Sequence, residues 1–290
     1  MTQRLLAVHA HPDDESSKGA ATYAYYRSLG TQVMVVSCTG GERGSILNDG
    51  LAERAHAERD LGGLRRLEME RARDHMGIEH RWLGYQDSGL PDEGEPVPAG
   101  SFATIPLEIS AEPLVALIRR FRPQVLVTYD ERGGYPHPDH IRTHEISMFA
   151  MRAAADPTQY PNAGPAWTIS KLYYDRIFSG ARIKAVYNLI VERDPESPLI
   201  EAMSGMRSWM DDAPPLATTH VPAGEFFEVR DLALKSHASQ VAPDSNFFFW
   251  PNELQRAAWP TEDFQLIEST VPTDLPESDL FAGIPEEEVV

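Results

Sequence analysis

Two short segments hold most of the side chains that could do chemistry: His9-Ala10-His11-Pro12-Asp13-Asp14-Glu15 and Tyr135-Pro136-His137-Pro138-Asp139-His140. Imidazoles and carboxylates at this density can bind a divalent cation and move protons. Two imidazoles and one carboxylate, with a fourth position open, make a catalytic zinc site. The same donor set accepts ferrous iron. A second carboxylate nearby can take the proton of an attacking water. Neighbouring aspartates in a turn point different ways, so Asp13 and Asp14 can divide these tasks. Pro12 and Pro138 stiffen the two turns, which suits ligands that must be held still. Asp- and Pro-rich runs are also ordinary turns, and one isolated histidine would mean little. The pairing of HPDDE with HPDH is what argues for a site. His9 differs, since it precedes His11 inside a strand pattern and reads as a hydrogen-bonded core residue.

These residues meet only if the elements around them bring them together. Leu5 to Val8 reads as a buried strand, followed by a helix from Ser16 to Leu29 that Gly30 closes. Gln32 to Cys38 is a second strand, then a turn with Gly40, Gly41 and Gly44, then a charged helix from Leu51 to Met76. His80 to Leu83, Gln124 to Thr128 and Trp167 to Tyr174 are further strands, and Ala111 to Phe121 is a helix. Strands alternating with helices predict βαβ units: an α/β fold with a Rossmann-like, mostly parallel sheet flanked by helices. Both motifs then follow strands, at the carboxyl ends where such sheets place their ligand crevice.

Beyond Pro157 the pattern loosens. The expected organisation is a Rossmann-like catalytic core over 1–156, a C-terminal α+β lobe over 157–260 and an acidic, Pro-rich tail over 261–290 that wraps the surface or stays disordered. Ala181 to Asp212 reads as an irregular helical insert and Glu225 to Ser239 as a helix. The aromatic run Phe247 to Trp250 reads as core, or as a wall of a pocket.

The formal charge of −18 is uneven: the last hundred residues carry 20 acids against 5 bases. An acidic surface repels phosphate backbones, which argues against nucleic acid as a partner. No apolar run approaches the ~20 residues of a membrane helix. The single Cys38 permits no internal disulfide, and Met1 to Leu6 has no secretory pattern, so the expected compartment is the cytoplasm.

Several stretches together resemble the PIG-L/LmbE-like superfamily of zinc-dependent N-acetylglucosaminyl deacetylases, and within it the branch of amidases acting on mycothiol S-conjugates. They are VHAHPDDESSKGAAT (Val8–Thr22), CTGGERGSILN (Cys38–Asn48), DSGLP (Asp87–Pro91), TYDERGGYPHPDHIRTH (Thr128–His144), SKLYY (Ser170–Tyr174), SHASQ (Ser236–Gln240) and WPTEDF with LFAGI (Trp259–Ile284). Ala181 to Gly224 has no counterpart in that resemblance. The resemblance implies that His11, Asp14 and His140 bind one Zn²⁺ and that Asp13 is the general base. It further implies that His137, oriented by Asp139, is electrophile and general acid, and that Tyr135 donates to the oxyanion. Lys18, Glu42, Arg65 and Asp87 are the substrate contacts it suggests. The implied substrate is a small-molecule thiol conjugate, cleaved at the amide between its S-substituted cysteine and glucosaminyl-inositol. Two alternatives remain open at this level: a deacetylase of an N-acetylglucosaminyl compound or pathway-specific relative, and a silent binding protein that keeps the crevice without turnover.

Overall fold

Strand β1 (Arg4–His9) is buried from Leu5 onward because both of its faces are covered. The structure, a computed structural model, describes residues 2–92, 94–203, 215–245, 248 and 250–285. Seven strands form one sheet in the order β3-β2-β1-β4-β5-β7-β6. They are β1, β2 (Gln32–Thr39), β3 (Glu79–Tyr85), β4 (Val125–Thr128), β5 (Lys171–Asp175), β6 (Thr219–Val221) and β7 (Glu262–Ser269). The first five run parallel, and β7 lies antiparallel between β5 and β6. Strand order runs outward from β1 to β3 and then resumes at β4 on the other side of β1. That reversal opens a crevice between the ends of β1 and β4, and both motifs sit there.

The helices are α1 (Asp14–Ser17), α2 (Ala20–Ser28), α3 (Arg54–Arg59), α4 (Leu61–Met76), α5 (Leu107–Phe121), α6 (Pro138–Ala155), α7 (Gly180–Arg193), α8 (Pro198–Ala202), α9 (Phe227–Ser236) and α10 (Asn252–Ala258). Period-two alternation in the strands feeds two cores. Leu5, Ala7, Val33 and Val127 pack with Tyr23, Met69 and Phe227 on one face. Leu6, Val8, Val36 and Leu126 pack with Leu114, Ile118 and Ile146 on the other. Among the described residues, no helix is long and apolar enough to cross a membrane.

Three expectations fail for physical reasons. The helix expected over Ser16–Leu29 is two helices, broken at Gly19 with φ +150. A Cβ at Gly19 would meet the Tyr23 ring at 2.5 Å, and this close approach lets the Tyr23 hydroxyl reach His9 Nε2 at 2.9 Å. The long helix over Leu51–Met76 breaks at Asp60, whose side chain caps α4 by accepting from the Gly63 amide at 2.9 Å. The acidic tail is not a loose wrap. Its Glu262–Ser269 stretch is the internal strand β7, and Leu280 and Phe281 are buried in the first core. Composition misleads here because the tail's acids are paired: Glu277 accepts from Lys171 Nζ at 2.6 Å and Tyr173 Oη at 2.5 Å. The insert supplies α7 and α8; its residues 204–212 lie outside the described residues, as do Phe247 and Phe249.

Candidate active site

The turn after β1 carries His11, Asp13 and Asp14; the loop after β4 carries Tyr135 and His137 and leads into α6 with Asp139 and His140. One ligand atom each of His11, Asp14 and His140 lies within 4.8 Å of the others, and all three residues are buried. His140 Nδ1 donates to the Gly133 carbonyl at 2.9 Å, which assigns its proton to that nitrogen. Its Nε2 is buried, 3.3 Å from Asp14 Oδ2, and has no hydrogen-bond partner. His11 Nε2 donates to Asp139 Oδ2 at 3.3 Å, leaving Nδ1 3.6 Å from Asp14 Oδ2. Two imidazole nitrogens and a carboxylate oxygen thus converge, each imidazole oriented through its other nitrogen. That is the pattern of a metal site with its supporting layer. The residues fit a tetrahedral cation with one open position. His11, His137 and Asp139 form a second such group. Asp139 Oδ2 accepts from the Ser88 amide at 2.9 Å and from His11, which suits a supporting role, while its Oδ1 is buried with no partner among the described residues.

Electrostatics follow the same layout. Burial opposes charge on Asp14, yet His140 and Lys18 outweigh it and hold its carboxyl well below the usual range. Burial likewise opposes charge on His11, and hydrogen bonds from Asp139, Asp14 and Asp87 hold its imidazole well above. Asp13 is pushed up, by burial first, against the pull of Arg65. Helix α1, beginning at Asp14, has only four residues, and burial dominates at Asp13. A raised carboxyl suits a general base. His137 is lowered to about 4 by burial and then by His11 and His140, so it is neutral near pH 7. Its Nδ1 accepts from the Asp139 amide at 3.1 Å, so the neutral ring carries its proton on Nε2 as a donor.

Asp13 adopts φ +107, a strained conformation for an L-residue. Two groups hold it there. Arg65 Nη2 donates to Asp13 Oδ2 at 3.1 Å and to the Pro12 carbonyl, and the Asp13 amide donates to Glu15 Oε2 at 2.9 Å. Glu15 in turn accepts from His237 Nε2 at 2.8 Å, a pair with no solvent exposure on either side chain. Sequence reading missed Glu15 and left His237 without a role. The signal was present, since a third carboxylate in HPDDE cannot face the same cation and must be paired elsewhere.

Several expected roles change. Asp139 orients His11 through its carboxylate and meets His137 only through its amide, because the first turn of α6 aims its side chain across the crevice. Lys18 forms an ion pair with Asp14 and stands 5.2 Å from the Tyr129 ring centroid. Arg65 is buried against Asp13 rather than turned to a ligand. Asp87 accepts from the Arg43 and Gly89 amides at 2.9 and 2.8 Å, and its own amide donates to Glu42 Oε1 at 3.1 Å. Arg65, Asp87 and Glu42 therefore hold the loops around the cluster. Tyr135 is 46% exposed, with its ring 4.5 Å from that of His140 and 6.0 Å from that of His137. His9 is a core residue as expected, bonded to the Tyr129 and Tyr23 hydroxyls and lowered to about 4 by burial.

A cavity of about 700 Å³ opens beside the cluster. Asp13, Asp14, Lys18 and Tyr135 line one part of it; Asp175, Phe178, Arg182, Arg230, Leu234 and Trp250 are among the residues lining the rest. Asp175, at the carboxyl end of β5, escaped the sequence reading although strand ends are where such groups gather; burial raises its carboxyl to about 7.

A buried imidazole–carboxylate cluster at the switch point of a mostly parallel sheet defines an α/β protein built for metal-assisted chemistry. The chain belongs to the PIG-L family, described as GlcNAc-PI de-N-acetylase, whose profile matches residues 6–151. Among curated relatives, the mycothiol S-conjugate amidase of Streptomyces coelicolor is 50% identical over 286 residues, 97% of each chain. The 1D-myo-inositol 2-acetamido-2-deoxy-alpha-D-glucopyranoside deacetylase of a Nocardioides species is 39% identical over 313 residues, covering 97% of this chain and 99% of that one. Among solved structures, the N,N'-diacetylchitobiose deacetylase of Pyrococcus horikoshii is similar with a TM-score of 0.61 at 18% identity, over 91% of this chain and 84% of that one.

Proposed function

We propose that the protein is a metal-dependent amidase that hydrolyses the amide of mycothiol S-conjugates, releasing an N-acetylcysteine S-conjugate and glucosaminyl-inositol. The observation that carries the chemistry is the orphaned, buried His140 Nε2 converging with His11 and Asp14. The substrate comes from the full-length likeness to the S. coelicolor amidase.

In this reading His11, Asp14 and His140 hold one Zn²⁺, with Fe²⁺ as the competing ion for this donor set. Bound there, the ion would lower the pKa of a water molecule and polarise the scissile carbonyl. Asp13, raised by burial, takes the proton of the attacking water. Tyr135, at the cavity wall and with its phenol kept protonated by burial, donates to the developing oxyanion. His137, neutral, donates a hydrogen bond to the same oxygen from Nε2, and Asp13 passes the proton taken from the water to the departing amine. Lys18 balances the charge of Asp14 and reaches the cavity, where it can also meet polar substrate groups. The partner is a small molecule, and the expected compartment is the cytoplasm.

The second reading, deacetylation of N-acetylglucosaminyl-inositol, is favoured by the Nocardioides relative. One assay separates them. The protein is incubated with a mycothiol conjugate and, in parallel, with N-acetylglucosaminyl-inositol, and products are identified by mass. Faster release of the N-acetylcysteine conjugate supports the amidase; faster release of acetate assigns the chain to the deacetylases. Elemental analysis of the purified protein decides between zinc and iron.

A further inference from the structure

Helix α7 brings Arg182 into the cavity wall. Arg182 is 7% exposed, yet its guanidinium has one polar partner among the described residues: Nη2 donates to Gln255 Oε1 at 3.0 Å. A guanidinium carries five N–H donors, so several remain free on the cavity side. Arg230 donates Nη1 to the same Gln255 oxygen at 3.2 Å. Both guanidiniums stand over the Phe227 ring, at 5.4 and 4.6 Å from its centroid.

The two arginines differ in how their charge is met. Arg230 donates Nε and Nη2 to Asp231 Oδ1 at 3.0 and 2.8 Å, and Nη2 to Asn252 Oδ1 at 2.9 Å. Arg182 makes no ion pair among the described residues; burial first, and then the charge of Arg230, lower it to about 10. Glu262 and Asp263 favour its charge without touching it. Glu262 Oε2 accepts from the Thr22 amide, and Asp263 accepts from His220, Trp259 and Thr261. Elsewhere in the wall, Asp130 is bound by Arg176 at 2.5 Å, and Asp175 faces Lys18 and Arg176. A buried guanidinium without a counter-ion is costly, and a carboxylate matches its planar fork.

We propose that Arg182 is a specificity residue that binds a carboxylate carried by the S-substituent of the substrate. Arg230 and Gln255 position its guanidinium, and Ile183, Leu234 and Val241 line the cavity for the apolar body of the substituent. This inference rests on the amidase reading. It commits the variable end of the conjugate to the part of the cavity that α7, α9 and α10 build.

The test compares kcat/KM for two mycothiol S-conjugates that differ only in a terminal carboxylate or its carboxamide, in the wild type and in Arg182→Gln and Arg182→Lys. The wild type should prefer the carboxylate by at least tenfold. Arg182→Gln should bring the ratio near one, and Arg182→Lys should retain part of it, since the charge survives and the fork does not. Equal turnover of the two conjugates by the wild type overturns the inference and leaves the amidase intact; this comparison needs no variant to fold. A preference that persists in Arg182→Gln also overturns it. Cleavage of neither conjugate, with acetate released from N-acetylglucosaminyl-inositol, overturns the amidase reading and the inference with it.

Discussion

The crevice between β1 and β4 and the wall built by α7, α9 and α10 face one cavity but are made on opposite plans. In the crevice nearly every polar atom is committed: Arg65 to Pro12 and Asp13, Glu15 to Asp13 and His237, Asp87 to two amides, Asp139 to His11 and Ser88. Among the described crevice residues the exceptions are His140 Nε2 and Asp139 Oδ1, in or beside the proposed metal cluster, and Arg65 Nε and His237 Nδ1. In the wall, apolar side chains surround Arg182, which has one polar partner among the described residues. The difference teaches where precision is needed. Bond breaking demands fixed geometry, whereas a varied substituent is met by burial and one directional charge.

The comparison breaks first at the ligands. His140→Ala should lose bound metal and activity together, and full metal occupancy by elemental analysis would refute the ligand set. Next comes Asp13→Asn, which should keep its metal and lower kcat by ~10²–10⁴-fold, the usual worth of a general base. Metal loss alongside the rate would mean that the two aspartates share or exchange roles.

Gly133→Ala should weaken metal affinity by ~10–100-fold, the usual cost of disturbing a supporting residue. Gly133 has φ +71, and a Cβ there would stand 2.5 Å from His140 Cβ and 2.9 Å from its carbonyl carbon. Competition against a chelator measures the change, and an unchanged affinity would show that the loop tolerates the shift.

The Glu15–His237 pair sharpens the comparison through pH. His237 is raised above its ordinary 6.5, so its contribution is full below that pH and fades as pH climbs through the raised value. Glu15 is held down to about 2, so its contribution is full above its ordinary 4.5 and fades as pH falls toward 2. The difference in Tm between wild type and His237→Gln should therefore be largest between pH 4.5 and 6.5. A difference that does not vary with pH would show the pair to be uncharged. Removing one partner of a buried pair costs about 3–5 kcal/mol.

The smallest effect belongs to the wall. Leu234→Ala should change kcat/KM for bulky S-substituents by about 1–3 kcal/mol, while metal content stays the same. A loss of metal in that variant would join the two regions into one cooperative unit.

Much of the crevice was legible in the sequence, for a local reason. The ligand candidates lie within six residues of each other in each motif, the motifs follow strands, and strand ends in a parallel sheet face one crevice. Residue type and spacing gathered His11, Asp13, Asp14, His137, Asp139 and His140 into one expected crevice, and the family resemblance singled out His11, Asp14 and His140 among them. The partners of those residues were not legible. Lys18, Arg65 and Asp87 were suggested as substrate contacts by the family resemblance; only folding reveals that Lys18 pairs with Asp14, Arg65 with Asp13, and Asp87 with two amides.

The same divide runs through the fold. Apolar runs marked the five parallel strands, since hydrophobic period is a property of consecutive residues, but left out α6 and ran α1 into α2 and α3 into α4. Tertiary structure alone decided that Glu262–Ser269 enters the sheet between β5 and β6, with Glu277 buried against Lys171 and Tyr173. A buried carboxylate is stable only beside a partner roughly a hundred residues away in sequence, and no local pattern records that pairing. Arg182 is the converse case: its sequence neighbours mark an ordinary helix, and only folding sets it against Arg230, Gln255 and Phe227 with no ion pair among the described residues.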